Sequence, residues 1–442
     1  MVHALPPADG YRGIWYYNQP SGDEYVYKYS GGFATYPQQH VPIAHYRPEV
    51  HRTFFVYGGV AEGTGELLHM VSYYDHASGT VPRPRILLNK HTDDAHDNPT
   101  LSIDAEGYLW VFSNAHGTSR PSYIHRSARP YDITAFERVA ESNFSYGQPW
   151  HIAGQGFLFL HTRYAPGRYL HWMTSPDGTT WSAPQLLAGV CEGHYQVSWQ
   201  DGQRVGTAFN YHPDDAEVNG LNARTNLYYV ETRDLGNTWM TAAGRPVTPP
   251  ILNVLNEALV HDYRAEGLLV YLKDIAFDTL GHPVILFITS KGYRSGPAND
   301  PRTWTTARWT GSEWAVRPVT TSDNNYDYGP LYIEPDGLWR IIAPTEPGPQ
   351  RYNPGGEVAM WTSRDQGEAW SRIKQLTTRS AYNHTYMRKP VNAHPDFYAL
   401  WADGHARQPS ESHLYFTDRD GSHVWRLPRV MPGEVARPDV AW

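Results

Sequence analysis

One short turn recurs along this chain and limits what it can fold into. It reads Ser175-Pro-Asp177-Gly-Thr-Thr-Trp181, then Thr232-Arg-Asp234-Leu-Gly-Asn-Thr-Trp239, then Ser363-Arg-Asp365-Gln-Gly-Glu-Ala-Trp370, and more loosely Asp420-Gly-Ser-His-Val-Trp425. Alternating strands such as Leu170-His-Trp-Met-Thr precede the turns. Successive aspartates lie 57, 131 and 55 positions apart, and the middle gap is two repeats. A second series, Asp104-Ala-Glu-Gly107, Asp278-Thr-Leu-Gly281 and Asp336-Gly337, is spaced by 174, three repeats, and then by 58. Two hairpin turns sharing one period describe a four-stranded unit of about 58 residues. The 442 residues hold between seven and eight such units. A radial array hides most sheet edges, so the expected fold is all-β: a seven-bladed β-propeller of four-stranded antiparallel blades. No linker divides the chain, and residues 1–442 are expected to form one domain.

The composition agrees, with 32 Tyr, 16 Trp, 38 Gly and 35 Pro favouring strands joined by turns. A net charge of −8 offers no general attraction to nucleic acid or anionic membranes, so neither is an expected partner. An acidic substrate would need a local cluster of Arg and His. Cys191 is the single cysteine, which excludes an intramolecular disulfide. No stretch is apolar enough for a membrane span, and the opening MVHALPPADG lacks the apolar core of a signal peptide. The recurring turn resembles the Asp-box (BNR) repeat of sialidases and many other propellers. Its Asp and Trp lock a turn at the blade rim, and it says little about function.

Chemistry is concentrated elsewhere. His96 and His116 lie 9.5 and 10.5 positions from the centre of the Asp104–Gly107 turn. Positions equidistant from a hairpin turn face each other, so both emerge at its open end, where loops begin. They are either a chemical pair or loop histidines bonded to backbone. Metal ligation ranks low, because no carboxylate stands at a recognisable spacing with both, and no metal is expected in the site. Arg163 ends the apolar run Gly156-Phe-Leu-Phe-Leu-His-Thr, which suggests a guanidinium aimed at the central space, and Tyr164 follows it. Tyr146, His40, His194, Tyr211 and Arg224 stand in similar segments. Asp97, Glu192 and Asp327 form no motif pair, whereas a glycosidase of the usual kind needs two carboxylates. Imidazoles, phenols and guanidiniums suit proton abstraction beside a carboxylate. In β-elimination from a 4-O-linked uronate, an Arg neutralises the carboxylate, a His or Tyr takes the C5 proton, and a second protonates the leaving oxygen.

Long blocks carry a more specific likeness. They run from Asp9-Gly-Tyr-Arg-Gly-Ile-Trp through His96-Asp-Asn-Pro, His116-Gly-Thr-Ser-Arg-Pro-Ser-Tyr-Ile-His-Arg, Gly193-His-Tyr-Gln, Ala208-Phe-Asn-Tyr-His-Pro and Arg224-Thr-Asn-Leu-Tyr-Tyr to Asn383-His-Thr-Tyr. Nearly end to end, the chain resembles the BNR-type propellers of ulvan lyases and L-rhamnose-α-1,4-D-glucuronate lyases. That resemblance implies a seven-bladed lyase of rhamnose- and glucuronate-containing polysaccharide, secreted or periplasmic. It assigns catalysis to His96, His116, Tyr146 and Arg163, with Tyr164 as the alternative tyrosine. His40, Tyr164, His194, Tyr211 and Arg224 are left to line the substrate site. His40 matches an essential histidine of a relative described as an α-L-rhamnosidase. Hydrolysis of the same linkage and a non-catalytic carbohydrate-binding propeller are the rival readings. The sialidase alternative fits poorly, because Tyr46-Arg-Pro-Glu replaces its Arg-Ile-Pro element. The chemistry requires no cofactor, although a structural calcium fits such a fold. A structural zinc held by several cysteines, as in some ulvan lyases, is impossible with Cys191 alone.

Overall fold

The computed structural model describes residues 1–61, 63–164, 167–213 and 220–442. Seven antiparallel sheets follow one another along the chain as the blades of a β-propeller. Blade 1 runs outward through Ala44–Arg47, Arg52–Val60, Leu67–Asp75 and Arg85–Asn89. Blade 2 extends from Pro99–Ile103 to Ala135–Ser142, and blade 3 from Ser145–Ile152 to Gln185–Ala188. Blade 4 begins with Gln196–Asp201 and Arg204–Tyr211, and blade 5 spans Leu269–Phe277 to Trp314–Ser322. Blade 6 starts at Leu331–Ile333 and blade 7 at Asn383–Arg388.

Second strands of the blades bury both faces, and so a sequence such as Pro283-Val-Ile-Leu-Phe-Ile is almost wholly apolar, whereas an outermost strand such as Ser371-Arg-Ile-Lys-Gln375 is exposed and polar. Both chain ends cover edges. Val2–Ala4 adds a fifth strand to blade 2, Asp439–Val440 adds one to blade 7, and Val435–Ala436 pairs with Val81–Pro82. No helix among the described residues is long and apolar enough to cross a membrane.

The recurring turns sit between the third and fourth strands of their blades. Asp177 accepts from the backbone N–H groups of Thr179 and Thr180 at 2.8 Å each, and Ser175 Oγ accepts from Gly178 N–H at 2.7 Å. Asp234 with Thr232, and Asp365 with Ser363, repeat the arrangement. In blade 7 the capping carboxylate is Asp418, two residues before the Asp420 that the sequence pattern suggested. Gly178 has φ +74°, and a Cβ there would lie 2.4 Å from the Trp110 ring of blade 2. A side chain at this position both strains the backbone and displaces a buried indole. Gly178→Ala is therefore expected to cost about 2–4 kcal/mol, read as a lowered Tm. Gly154→Ala is the control: φ is +76° but nothing lies within 4 Å, so only the backbone term of about 1–2 kcal/mol should appear.

The first–second and third–fourth turns of every blade share one face of the propeller. The second–third connections and the starts of the first strands share the other, and the histidines of blade 2 belong to that second face.

Candidate functional site

Blade 2 pairs Ile103 with Leu109 and Pro99 with Ser113. Carrying this register three residues outward sets His96 opposite His116. Their rings stack at 4.0 Å with a 17° interplanar angle. A short 3₁₀ turn, Ala95–Asp97, holds the first of them, capped by Asp94. Asp94 Oδ1 accepts from His96 N–H at 3.0 Å and from His96 Nδ1 at 2.5 Å, while Oδ2 accepts from His116 Nδ1 at 2.8 Å. One carboxylate thus fixes both imidazoles with Nδ1 as donor, so that proton exchange at either ring falls to Nε2.

Behind the pair, buried Asp97 accepts from His116 N–H at 2.7 Å and from Arg120 Nε and Nη2 at 2.8 and 3.0 Å. Lys90 Nζ lies 3.5 Å from the same carboxylate.

The two histidines are not equivalent. The His96 side chain is 4% exposed, and its Nε2 faces the hydroxyls of Tyr29, at 3.1 Å, and Tyr36. Burial and the neighbouring His116 outweigh the pull of Asp94, and so His96 titrates below its ordinary range. The His116 side chain is 31% exposed and faces the cleft. Burial works against its cation, but the bonded Asp94 carboxylate outweighs burial and raises it above the usual histidine value.

Asp94, His96 and His116 offer ligand atoms within 4.8 Å of one another, a grouping a cation could use. Here the Nδ1 atoms of both histidines are hydrogen-bonded to the two carboxylate oxygens of Asp94.

The opposing wall is cationic and phenolic. Arg168 Nη1 donates to Tyr195 OH at 2.5 Å, and Arg168 Nη2 reaches His212 Nε2 at 3.3 Å. The Arg224 guanidinium lies 4.5 Å from the ring centroids of both Tyr195 and Tyr271. Burial disfavours a Tyr195 phenolate, yet Arg168, Arg224 and Lys28 together overcome it and bring the phenol down to about 7. Lys28 is itself brought down to about 8 by burial and by the two arginines.

Between the walls, Tyr164 OH donates to Tyr146 OH at 3.3 Å, and the His116 ring lies 5.8 Å from Tyr164 and 6.4 Å from Tyr146. Tyr146 sits at a β-bulge with φ +53°, which turns its ring out of the strand alternation into the cleft. Burial keeps both of these tyrosines protonated far above neutrality.

The structure therefore gathers His96, His116, Tyr146, Tyr164 and Arg224 around one cleft. His40 lies beneath it, buried, with its ring 5.9 Å from Tyr146.

Three residues from the sequence analysis are placed elsewhere. Arg163 pairs with Tyr169 across its hairpin, whereas Tyr164 pairs with Arg168. Alternation sends Tyr164 and Arg168 to the cleft side and Arg163 to the other face, where it acts on His161 and His171. His194 is wholly buried, with Nε2 accepting from Val190 N–H at 2.8 Å and Nδ1 against Asn210 O at 2.7 Å. Tyr211 turns its hydroxyl to Arg264 Nη1 at 3.0 Å.

Four residues were missed: Asp94, Arg168, Tyr195 and His212. Tyr195 and His212 each adjoin a residue that was chosen, so the period of two was the available signal. Arg168 is the hairpin partner of Tyr164. Asp94 carried only the weak signal of a capping position before Ala95-His96.

Comparison with known proteins gives this geometry a setting. The chain is 22% identical over 379 residues to an ulvan lyase of Alteromonas sp. (strain LOR), covering 76% of this chain and 74% of that protein. It is 23% identical over 345 residues to an ulvan lyase of Nonlabens ulvanivorans, covering 69% of each. A solved PL25 ulvan lyase bound to -[GlcA(1-4)Rha3S]- superimposes with a TM-score of 0.74 at 17% identity, covering 94% of this chain and 96% of that one. That likeness shows the shared fold. The model of the BNR repeat-containing family matches residues 69–322, more than half of the sequence, and the chain belongs to that family.

Proposed function

We propose that this chain is a polysaccharide lyase that cleaves a glucuronate- and rhamnose-containing chain by β-elimination. The observation that carries the reading is the pairing of opposite shifts across one cleft. Tyr195 is drawn down to about 7 beside two arginines, and His116 is held above its usual range by Asp94. Environments that push two titratable groups in opposite directions separate a base from an acid. The named relatives are ulvan lyases, and the oligosaccharide in the PL25 structure joins glucuronate to sulfated rhamnose. Both support a uronate substrate. A polymer of that kind is met outside the cytoplasm, which supports a secreted or periplasmic location.

The roles follow from charge. Arg168 and Arg224 take the uronate carboxylate and stabilise the enolate-like charge that develops when C5 loses its proton. C5 is bonded to the carboxylate carbon, so the base belongs beside those arginines, and Tyr195 is there. A carboxylate arriving between the guanidiniums offsets their pull on the phenolate and strengthens it as a base. Electrons from the C5–H bond form the C4–C5 double bond and expel O4, which takes a proton from the His116 imidazolium. Water is not consumed. Tyr146 and Tyr164 stay protonated and hydrogen-bond to the sugar, and His96 is the partner that holds Asp94 in line with His116.

Incubation with ulvan is expected to produce the ultraviolet band of a 4,5-unsaturated uronate, with reducing ends appearing in equal number. Reducing ends without the band would mean hydrolysis, and binding without either would mean a carbohydrate-binding propeller. Arg168→Ala should lower kcat/KM about 10²–10³-fold, the range for removing one such electrostatic partner, while Arg163→Ala should leave it within about twofold.

The acid limb of the pH profile reports Tyr195 ionisation near 7 and the alkaline limb reports loss of the His116 proton. Asp94 raises His116, so Asp94→Asn lowers it. The alkaline limb of kcat/KM should then move to lower pH. An alkaline limb that stays in place would separate Asp94 from the acid.

A further inference from the structure

On the face opposite the catalytic cleft, three histidines from two blades meet at one point. His51 lies in the first–second turn of blade 1 and His76 in its third–fourth turn. His394 comes from the connection between the first two strands of blade 7. The ring centroids of His76 and His394 are 4.0 Å apart, and His51 is 5.2 Å from each. Asp396 closes the group: its backbone N–H donates to His394 Nδ1 at 3.1 Å, and its Oδ2 lies 3.8 Å from the same nitrogen. Ligand atoms of His76, His394 and Asp396 all fall within 4.8 Å of one another.

Hydrogen bonding explains only part of this cluster. His76 Nε2 is satisfied by Thr53 Oγ1 at 2.8 Å, but His76 Nδ1 is buried without a hydrogen-bond partner among the described residues. His51 Nδ1 is bonded to Tyr46 OH at 2.9 Å, and the Tyr46 ring packs against all three imidazoles. His76 has one nitrogen held by a hydroxyl, and its ring lies beside a second imidazole with a carboxylate in reach, the surroundings of a metal ligand.

We propose that His76, His394 and Asp396 bind a divalent transition-metal ion of the zinc type. His51, or water, supplies the fourth position of a tetrahedral site. Nitrogen and oxygen donors suit zinc, whose ligands lie about 3.3 Å apart when tetrahedral, so binding draws the present cluster slightly inward. The ion would join blade 1 to blade 7, where the ring closes. At that seam the backbone links include Val391 N–H to Ala44 O at 2.8 Å and Tyr46 N–H to Val391 O at 3.0 Å. An ion bound only by the closed ring raises its stability by mass action.

The test uses the whole protein, stripped with a chelator and titrated with ZnCl₂ by calorimetry and thermal melting. One zinc per chain with a micromolar or tighter Kd is expected, with a Tm that rises until one equivalent is bound. His394→Gln and Asp396→Asn, both on the exposed connection, should each weaken binding at least tenfold and abolish the rise in Tm. Ulvan cleavage by these two variants should match the wild type. His76→Gln should behave alike, and the two loop variants suffice if it does not fold. Asp94→Asn should bind zinc as the wild type does. Absence of zinc binding at 100-fold excess over the protein would overturn the proposal. So would binding unchanged in His394→Gln, or binding lost in Asp94→Asn instead.

Discussion

Tyr195→Phe is expected to lower kcat on ulvan by about 10²–10⁴-fold, the span over which a positioned proton-transfer group acts. KM should change little. The substitution removes one oxygen, and the phenyl ring keeps its place under Arg224 and against Tyr146, whose ring is 5.4 Å away. Arg168 loses the partner it holds at 2.5 Å but keeps His212. Folding should therefore be intact, and the loss should appear in kcat. The acid limb of the pH profile should vanish with it, because the group that titrates near 7 is gone. A Tyr195→Phe enzyme within tenfold of the wild type would remove Tyr195 as the base and return that role to an imidazole.

His116→Ala is expected to cost a similar factor on polysaccharide, but by a different route. If His116 gives its proton to O4, the need for it falls as the leaving group becomes a weaker base. A glucuronate carrying a nitrophenyl ether at O4 expels a stabilised anion. On that substrate His116→Ala should recover to within about tenfold of the wild type, whereas Tyr195→Phe should remain as slow as before. The comparison separates acid from base, which the pH profile alone does not, since exchanging the two protons between groups leaves its shape unchanged. Recovery of Tyr195→Phe instead of His116→Ala would reverse the assignment.

The overall fold was legible because its signal repeats. Three copies of a Ser/Thr-x-Asp turn at one period sufficed to set the blade size, even though the fourth copy uses Asp418 where the pattern pointed to Asp420. The His96–His116 contact was legible for a related reason. A hairpin register is fixed by its turn, and the Asp104–Gly107 turn set it within one residue.

The rest of the site turned on parity. In a strand, neighbours point to opposite faces, and a one-position error exchanges a cleft residue for a structural one. His194 and Tyr195 are such a pair, as are Tyr211 and His212. Charge invited the choice of His194, yet an imidazole can satisfy two backbone groups in a core, and this one does. Arg163 attracted attention by ending an apolar run, but Tyr164 opposite Arg168 at the tip of the same hairpin faces the cleft. Asp94 was hidden for another reason. It reaches His116 from 22 positions away, across the open end of the hairpin, where loop geometry and not strand spacing decides contact.

The central claim is elimination at a uronate without water. The most direct measurement is digestion of ulvan in ¹⁸O-enriched water, followed by mass spectrometry of the released oligosaccharides. Elimination predicts products that carry a 4,5-unsaturated uronate at the non-reducing end and no ¹⁸O fixed at the cleavage point, once exchange at the reducing carbon is blocked by prompt reduction. Saturated ends with one ¹⁸O per bond broken would contradict it.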